Sequence, residues 1–299
     1  MCGIVGLLVK KPELRERLGE LMLPMLTGMV ERGPDSAGLA VFTEALPADR
    51  RKYSLYAPDW DYDWAAFEAE FIRRFGTEAE IGQRGNHAIL VCDEPQEKVR
   101  PWVKQAFPRL HLLSAGRLMD IYKDIGNPAQ VAQRYEFGRL AGTHLVAHTR
   151  MATESAVTPD RAHPFTAGED FCLIHNGSLS NPYQIRRKLE PLGISFETDN
   201  DTEAACRYFE WRMREGDSLE TAIRSGFEEL DGFYTFLMGT RDELALVRDA
   251  FACKPAVIAE TDDYVAISSE YRSLARLPDV KQANVFEPVP EEIYVWRAQ

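Results

Sequence analysis

The chain predicts a layered α+β fold in which sheets pack against each other and helices lie outside. Three observations lead there. Apolar runs of strand length recur from the N-terminus to the last ten residues, helical stretches come as neighbouring pairs, and groups of strands separate those pairs. A regular strand-helix-strand alternation would have pointed to a parallel sheet; grouped elements point to stacked layers.

The elements follow in order. GIVGLLV at 3–9 is apolar enough for a short buried strand. Over 14–30, Leu14, Leu18, Leu21, Met22, Met25, Leu26, Met29 and Val30 recur at helical spacing, predicting an amphipathic helix stopped near Gly33-Pro34. GLAVF at 38–42 predicts a second strand. Residues 43–140 are less regular: an aromatic and acidic stretch at 56–71, an apolar run HAILVC at 87–92, LHLLS at 110–114, and a helical pattern at 128–142. This segment reads as an insertion, and Trp60, Tyr62, Trp64 and Phe67 make it a candidate docking face, the alternative being that they bury a local helix against the main sheet. From 143 the pattern sharpens into strands at 143–150 and 171–177 and helices at 181–193, 201–216 and 218–230. Asn200 or Asp201 and Ser218 stand where helix caps belong. Strands follow at 233–238, 243–248, 256–260, 263–268 and 292–296.

Composition narrows the function. The 299 residues are 45% hydrophobic and 27% charged, enough for a large core in one domain or two modest ones. A net charge of −12 argues against nucleic acid and anionic membrane as partners. The five cysteines are scattered with no C-x-x-C pair, which reads as free thiols in a reducing compartment. No apolar run approaches the ~20 residues of a spanning helix, so the expected location is the cytoplasm. Glycine-rich phosphate loops and dinucleotide fingerprints are missing.

Several residues carry chemistry. Cys2 directly follows Met1, and methionine removal would leave one residue with a nucleophilic thiol and an α-amine able to take a proton near neutral pH. Arg150, at the end of a strand, suits a carboxylate or a surface ion pair. In His175-Asn176-Gly177, an amide and a following backbone N–H can converge as an oxyanion hole, or form an ordinary Asn-Gly turn. Asp199 and Asp201 lead into a helix as caps or as partners for an ammonium. His144 and His148 share a strand face but lie ~13 Å apart, too far for one metal ion, so no metal is expected.

Taken in order, MCGIVG at 1–6, RGPDSAG at 32–38, HTRMAT at 148–153, AHPF at 162–165, HNG at 175–177 and TDNDTEA at 198–204 resemble the class II glutamine amidotransferases. RDAFACKPAVI and DDYVAISSE resemble that family's late hairpin. The resemblance covers 1–42 and roughly 143–275, and is loose or missing across 43–140. It implies a single domain over 1–299 with the insertion at about 43–140, and a four-layer α/β/β/α sandwich of the N-terminal nucleophile hydrolase type. It also implies hydrolysis of L-glutamine to glutamate and ammonia through a thioester. By the same resemblance Cys2 is the nucleophile and its α-amine the base. Asn176 and Gly177 form the oxyanion hole, Arg150 holds the α-carboxylate, and Asp201, in preference to Asp199, meets the α-ammonium. Thr153 lines the pocket, His163 supports its loop, and Arg32 and Asp35 shape the wall behind Cys2.

Met151 and Glu154 depart from the HTRWATHG seen in many relatives, which alters packing and charge near the pocket. The resemblance further implies that ammonia goes to a synthase on another polypeptide, as in split glutamate-synthase-like systems including N-methylglutamate synthase. There, FMN, and iron–sulfur clusters with it, belong to partner subunits, which include a glycine-rich β-helical one. No cofactor is expected in this chain. Two alternatives stay open: an N-terminal cysteine amidohydrolase for another small amide, and a catalytically silent interaction subunit.

Overall fold

Strand β1 (Gly3–Val9) runs through the middle of the molecule because each of its seven residues is apolar or glycine and each is buried. A strand buried on both faces must lie between two layers. Val5, Leu7 and Val9 face one of them, and Ile4 and Leu8 face the other. The computed structural model describes residues 2–151 and 158–298.

A 3₁₀ turn over Pro12–Arg17 precedes helix α1 (Leu18–Thr27). The helix expected from 14 therefore begins at 18. PELRER buries no residue, and the buried stripe of Leu18, Leu21, Met22, Met25 and Leu26 starts only after it. β2 (Ser36–Phe42), β3 (Arg51–Tyr56), α2 (Trp64–Phe75), β4 (Ala79–Arg84), β5 (His87–Cys92), α3 (Gln96–Ala106) and β6 (His111–Gly116) follow. Next come β7 (Met119–Ile125), α4 (Pro128–Arg134), β8 (His144–Arg150), β9 (Phe165–Thr166) and β10 (Cys172–Leu179). The chain continues through α5 (Pro182–Leu189), α6 (Asp201–Arg214), α7 (Leu219–Glu229), β11 (Gly232–Gly239) and β12 (Glu243–Arg248). β13 (Val257–Glu260), β14 (Tyr264–Ser268), α8 (Tyr271–Leu274), β15 (Asn284–Phe286) and β16 (Tyr294–Arg297) complete it.

Two antiparallel sheets stack face to face. One has seven strands in the order β15-β13-β14-β1-β8-β2-β7, the other five in the order β16-β12-β11-β10-β9. Between them lie Ile4, Leu8, Phe42 and Val146 against Ile174, Leu237 and Leu246. The outer face of the larger sheet packs on α1, α4 and α8 through Val5, Leu7, Met22, Val131 and Leu274. The outer face of the smaller one packs on α5, α6 and α7 through Leu173, Phe236, Leu189, Phe209 and Ile223. The result is the α/β/β/α sandwich. Each fully buried Leu, Ile or Val contributes ~1.5–3 kcal/mol, so these three interfaces supply most of the driving force.

Residues 43–140 divide in two. β7 pairs along its whole length with β2 and completes the seven-stranded sheet, with α4 packed beside it. The remainder forms a separate four-stranded sheet, β4-β5-β3-β6, covered by α2 and α3. Trp64 and Phe67 are 4% and 1% exposed in that layer's own core, with Tyr62 packed against it. The aromatic cluster is thus no docking face, and it buries its helix against this added sheet instead of the main one. Trp60 alone of the four is about half exposed, stacked on Tyr135. The helical pattern at 128–142 yields only α4 and a 3₁₀ turn at Phe137–Arg139.

Candidate active site

Antiparallel pairing sets Gly3 opposite Thr149, which places Cys2 and Arg150, one step beyond, beside each other at the ends of two central strands of the larger sheet. β2 comes alongside with Ser36 opposite Arg150, and the Asp35 N–H donates to the Arg150 carbonyl at 2.9 Å. The turn before β2 must press close to this strand end. A Cβ on Gly33 would stand 2.6 Å from the Thr149 carbonyl carbon, so glycine is required there.

Side chains from three further segments fix the backbone at Cys2. Arg32 Nε donates to the Cys2 carbonyl at 2.7 Å and Asn176 Nδ2 donates to it at 3.1 Å. Arg32 also pairs with Glu270 at 3.2 Å. The Ser269 hydroxyl accepts from the Ile4 N–H at 3.0 Å and lies 3.5 Å from Asn176 Nδ2. Burial pushes the Cys2 thiol up, but a hydrogen bond to His148, the His148 charge and the Met151 backbone together outweigh it and hold the thiol at about 7.

His148 does a second thing. Its Nε2 lies 3.1 Å from Asn176 Oδ1, and an amide oxygen only accepts, so Nε2 bears the proton in the assigned tautomer. That contact turns the amide so that Nδ2 faces Cys2. It also leaves Nδ1 as the ring nitrogen which, when protonated, can donate to the Cys2 thiolate, the charged contact that lowers the thiol.

Behind His148 lies a buried polar chain. The His148 and His163 rings are 4.3 Å apart, His163 Nε2 is 2.9 Å from Thr202 Oγ1, and His175 Nδ1 is 3.1 Å from the same hydroxyl. The hydroxyl has one proton and a third neighbour, Asp201 Oδ1 at 3.5 Å, so Thr202 donates to at most one imidazole and accepts from at least one. Burial holds His163 well below its ordinary pKa; burial also lowers His175, to about 4, against the opposing pull of Asp201. Asp201 opens α6, its Oδ2 accepting from the Leu179 N–H at 2.9 Å and lying 3.8 Å from His175 Nδ1. The cap itself is Asn200, which accepts from the Thr202 N–H, leaving the partly exposed Asp201 carboxylate facing the end of β10.

Gly177 has φ +147°, and a Cβ there would lie 1.9 Å from the Phe233 carbonyl oxygen. No other residue fits at that position, which lies within β10 opposite Tyr234 and not in a turn. Cys2, Arg32, Asn176, His163 and Asp201 therefore meet in one network, with Arg150 and Asp35 at its strand edge and Gly177 beside Asn176. Thr153 and Glu154 lie outside the described residues. Asp199, the second choice for an ammonium partner, is 70% exposed and pairs with Arg161 at 3.3 Å. Met151 is largely on the surface. His144 stacks on Phe42 and bonds the Thr240 carbonyl at 2.9 Å, a packing role at the far end of β8. Among the described residues no group of three or more His, Cys, Asp or Glu side chains is arranged to hold a metal ion, and no helix is long and apolar enough to cross a membrane.

Sequence reasoning missed four members of this network. His148 drew attention only as a metal ligand, and Thr202, Ser269 and Glu270 received no role. The signal was present, since Thr202 is the middle residue of D-T-E and the other two close DDYVAISSE.

Residues 148–276 match the family model of a glutamine amidotransferase domain. A glutamine amidotransferase-like protein of Rhizobium meliloti, GlxB, is 43% identical over 100% of this chain and 99% of its own length. A provisionally named glutamine amidotransferase of Methanothermobacter thermautotrophicus is 31% identical over 98% of this chain and 99% of its own. Among solved structures, the glutamine phosphoribosylpyrophosphate amidotransferase of B. subtilis superposes with a TM-score of 0.62 at 20% identity, covering 99% of this chain and 47% of that one. That last likeness is one of fold.

Proposed function

The chain belongs to the class II glutamine amidotransferases, and from that premise we propose how its residues divide the work. After loss of Met1, the freed α-amine takes the proton of the Cys2 thiol, and the resulting thiolate attacks the side-chain amide carbon of L-glutamine. Asn176 Nδ2 and the Gly177 N–H stabilise the oxyanion, and Arg150 and Asp201 clamp the α-carboxylate and α-ammonium. The amine then returns the proton to the departing ammonia, and water releases glutamate from the thioester. Thr153 lines the pocket, His163 supports it through Thr202, and Arg32 and Asp35 hold the wall behind Cys2. The observation that carries this reading is the contact of Asn176 with both the Cys2 carbonyl and His148, which holds an amide donor beside Cys2 in a buried, fixed position.

Ammonia then passes to a synthase on a separate polypeptide, of the glutamate-synthase-like or N-methylglutamate synthase type, with a glycine-rich β-helical subunit beside it. Any FMN or iron–sulfur cluster belongs to those partners. The test is glutamate release from L-glutamine by the chain alone and by the complex copurified with it. A Cys2→Ala control must abolish release in both, and ammonia must appear in an acceptor product only in the complex. Release that survives the control would reject the assignment of Cys2. Acceptor amination by the chain alone would reject the separate synthase.

A further inference from the structure

A cavity of ≈ 490 Å³ opens between the added layer and the glutaminase body, away from Cys2. Its size suits a small molecule. Leu112, Phe165 and Phe196 give it apolar walls, and four cations line it: Arg100, Lys104 and Arg207, with Lys123 already donating to the Ala162 and Pro164 carbonyls.

Two carboxylates also line it, but they leave those cations poorly matched. Glu203 already accepts from the Glu197 N–H, the Thr198 N–H and the Thr198 hydroxyl at 2.7–2.8 Å, and its distance to Arg207 is 3.6 Å. Arg207 Nε is buried with no hydrogen-bond partner among the described residues. Arg100 reaches Glu197 only at 3.4 Å. Burial lowers the Arg100 pKa, Glu197 opposes that, and the neighbouring Arg207 charge lowers it further. Two half-buried guanidiniums facing one space repel each other, and an anion between them would relieve the repulsion. That this arises in a chain of net charge −12 makes the local excess of positive charge more telling.

We infer that this cavity binds a small organic phosphate, its head between Arg100, Arg207 and Lys104 and its apolar or aromatic body against Phe165 and Phe196. Occupancy reaches the glutaminase site. A ligand that draws Arg207 away from Glu203 acts on the 197–200 segment that Glu203 staples, and Asp201 follows that segment directly. β9, carrying Phe165, follows His163 in the same way.

The binding half stands independently of glutamine hydrolysis; the coupling half rests on the reading given above. Calorimetric titration of the full chain with phenyl phosphate, phenol, inorganic phosphate and benzoate tests the first. Phenyl phosphate should saturate one site, at least about tenfold tighter than phenol or inorganic phosphate. Arg100→Gln should weaken it about tenfold, and Lys104→Glu, at an exposed position that leaves the fold intact, about threefold. Equal binding of phenol, or unchanged affinity in both variants with unchanged melting curves, overturns the anion site. Equal binding of benzoate overturns the choice of phosphate. Saturating phenyl phosphate should then shift KM for glutamine at least about threefold, because Asp201 is proposed to grip substrate. An unchanged KM in an enzyme that turns over glutamine overturns the coupling, whereas no turnover in any condition counts against the glutaminase reading and leaves the titration standing.

Discussion

The sandwich and the added layer bury their interiors differently. In the layer, Phe67, Phe71, Trp102 and Phe107 meet ring to ring at 5.0–5.7 Å in an apolar core between one sheet and two helices. The sandwich has apolar interfaces too, but at the end of β1 and β8 it buries His148, His163, His175, Asn176 and Thr202 together. Polar groups cost stability in an interior unless partnered, and here they largely partner one another, although His163 Nδ1 finds no hydrogen-bond partner among the described residues. An apolar core supports a shape. A buried polar network beside a thiol marks where chemistry is done.

Cys2→Ala should sharpen this contrast most. Glutamate release should fall by at least about a thousandfold, with the urea unfolding midpoint scarcely moved, since the change removes a nucleophile and almost no packing. In the layer the effect reverses. Phe67→Ala should cost about 3–5 kcal/mol in urea unfolding while turnover per folded molecule holds within about twofold. Loss of turnover at full folding would join the two regions functionally.

The two ends of β8 offer a finer comparison on one strand face. His148→Phe should lower kcat about a hundredfold with KM little changed, and should raise the pH midpoint of Cys2 alkylation from about 7 toward the ordinary thiol range. His144→Phe should leave both alone. His148→Gln restores a donor to Asn176 Oδ1 but brings no positive charge to the thiolate, so it should recover part of kcat and none of the alkylation shift. Identical behaviour of the Phe and Gln variants would reject the amide-turning role.

Acid probes both regions at once. His144 and His175 sit at about 4 and His87, in the layer, at about 3, all because burial disfavours the charged ring. The unfolded chain takes up those protons near pH 6.5 while the folded chain does not, so stability falls as pH drops from about 6.5 towards 4. Each such histidine contributes up to about 1.4 kcal/mol per pH unit. Urea midpoints measured at pH 7, 6 and 5 should decline increasingly steeply; a flat series would contradict the neutral buried rings.

Much of this was legible in the sequence where local chemistry is strict. The glycine after Asn176 was readable as one that permits an unusual conformation, Cys2 stood out by its place after Met1, and Ser218 indeed caps α7 by accepting from the Thr221 N–H. The layered fold was readable because strand and helix periods differ. The division of 43–140 was not, because strand partners are set by tertiary pairing, and nothing in MDIYKDI says that it joins β2. Aromatic clusters are equally silent about whether they face solvent or a sheet. His148, Thr202 and Ser269 were hidden for a related reason: each acts by meeting a side chain or backbone group far away in sequence.

The most direct test separates two preparations by intact mass, one retaining Met1 and one beginning at Cys2, and measures glutamate release from L-glutamine by each. The account predicts release only from the preparation that begins at Cys2, with the thiol alkylated readily in both, because His148 tunes the sulfur whereas the free amine completes the proton transfer. Equal release from both would show that the amine is dispensable, and release from neither would contradict the role given to Cys2 in this chain.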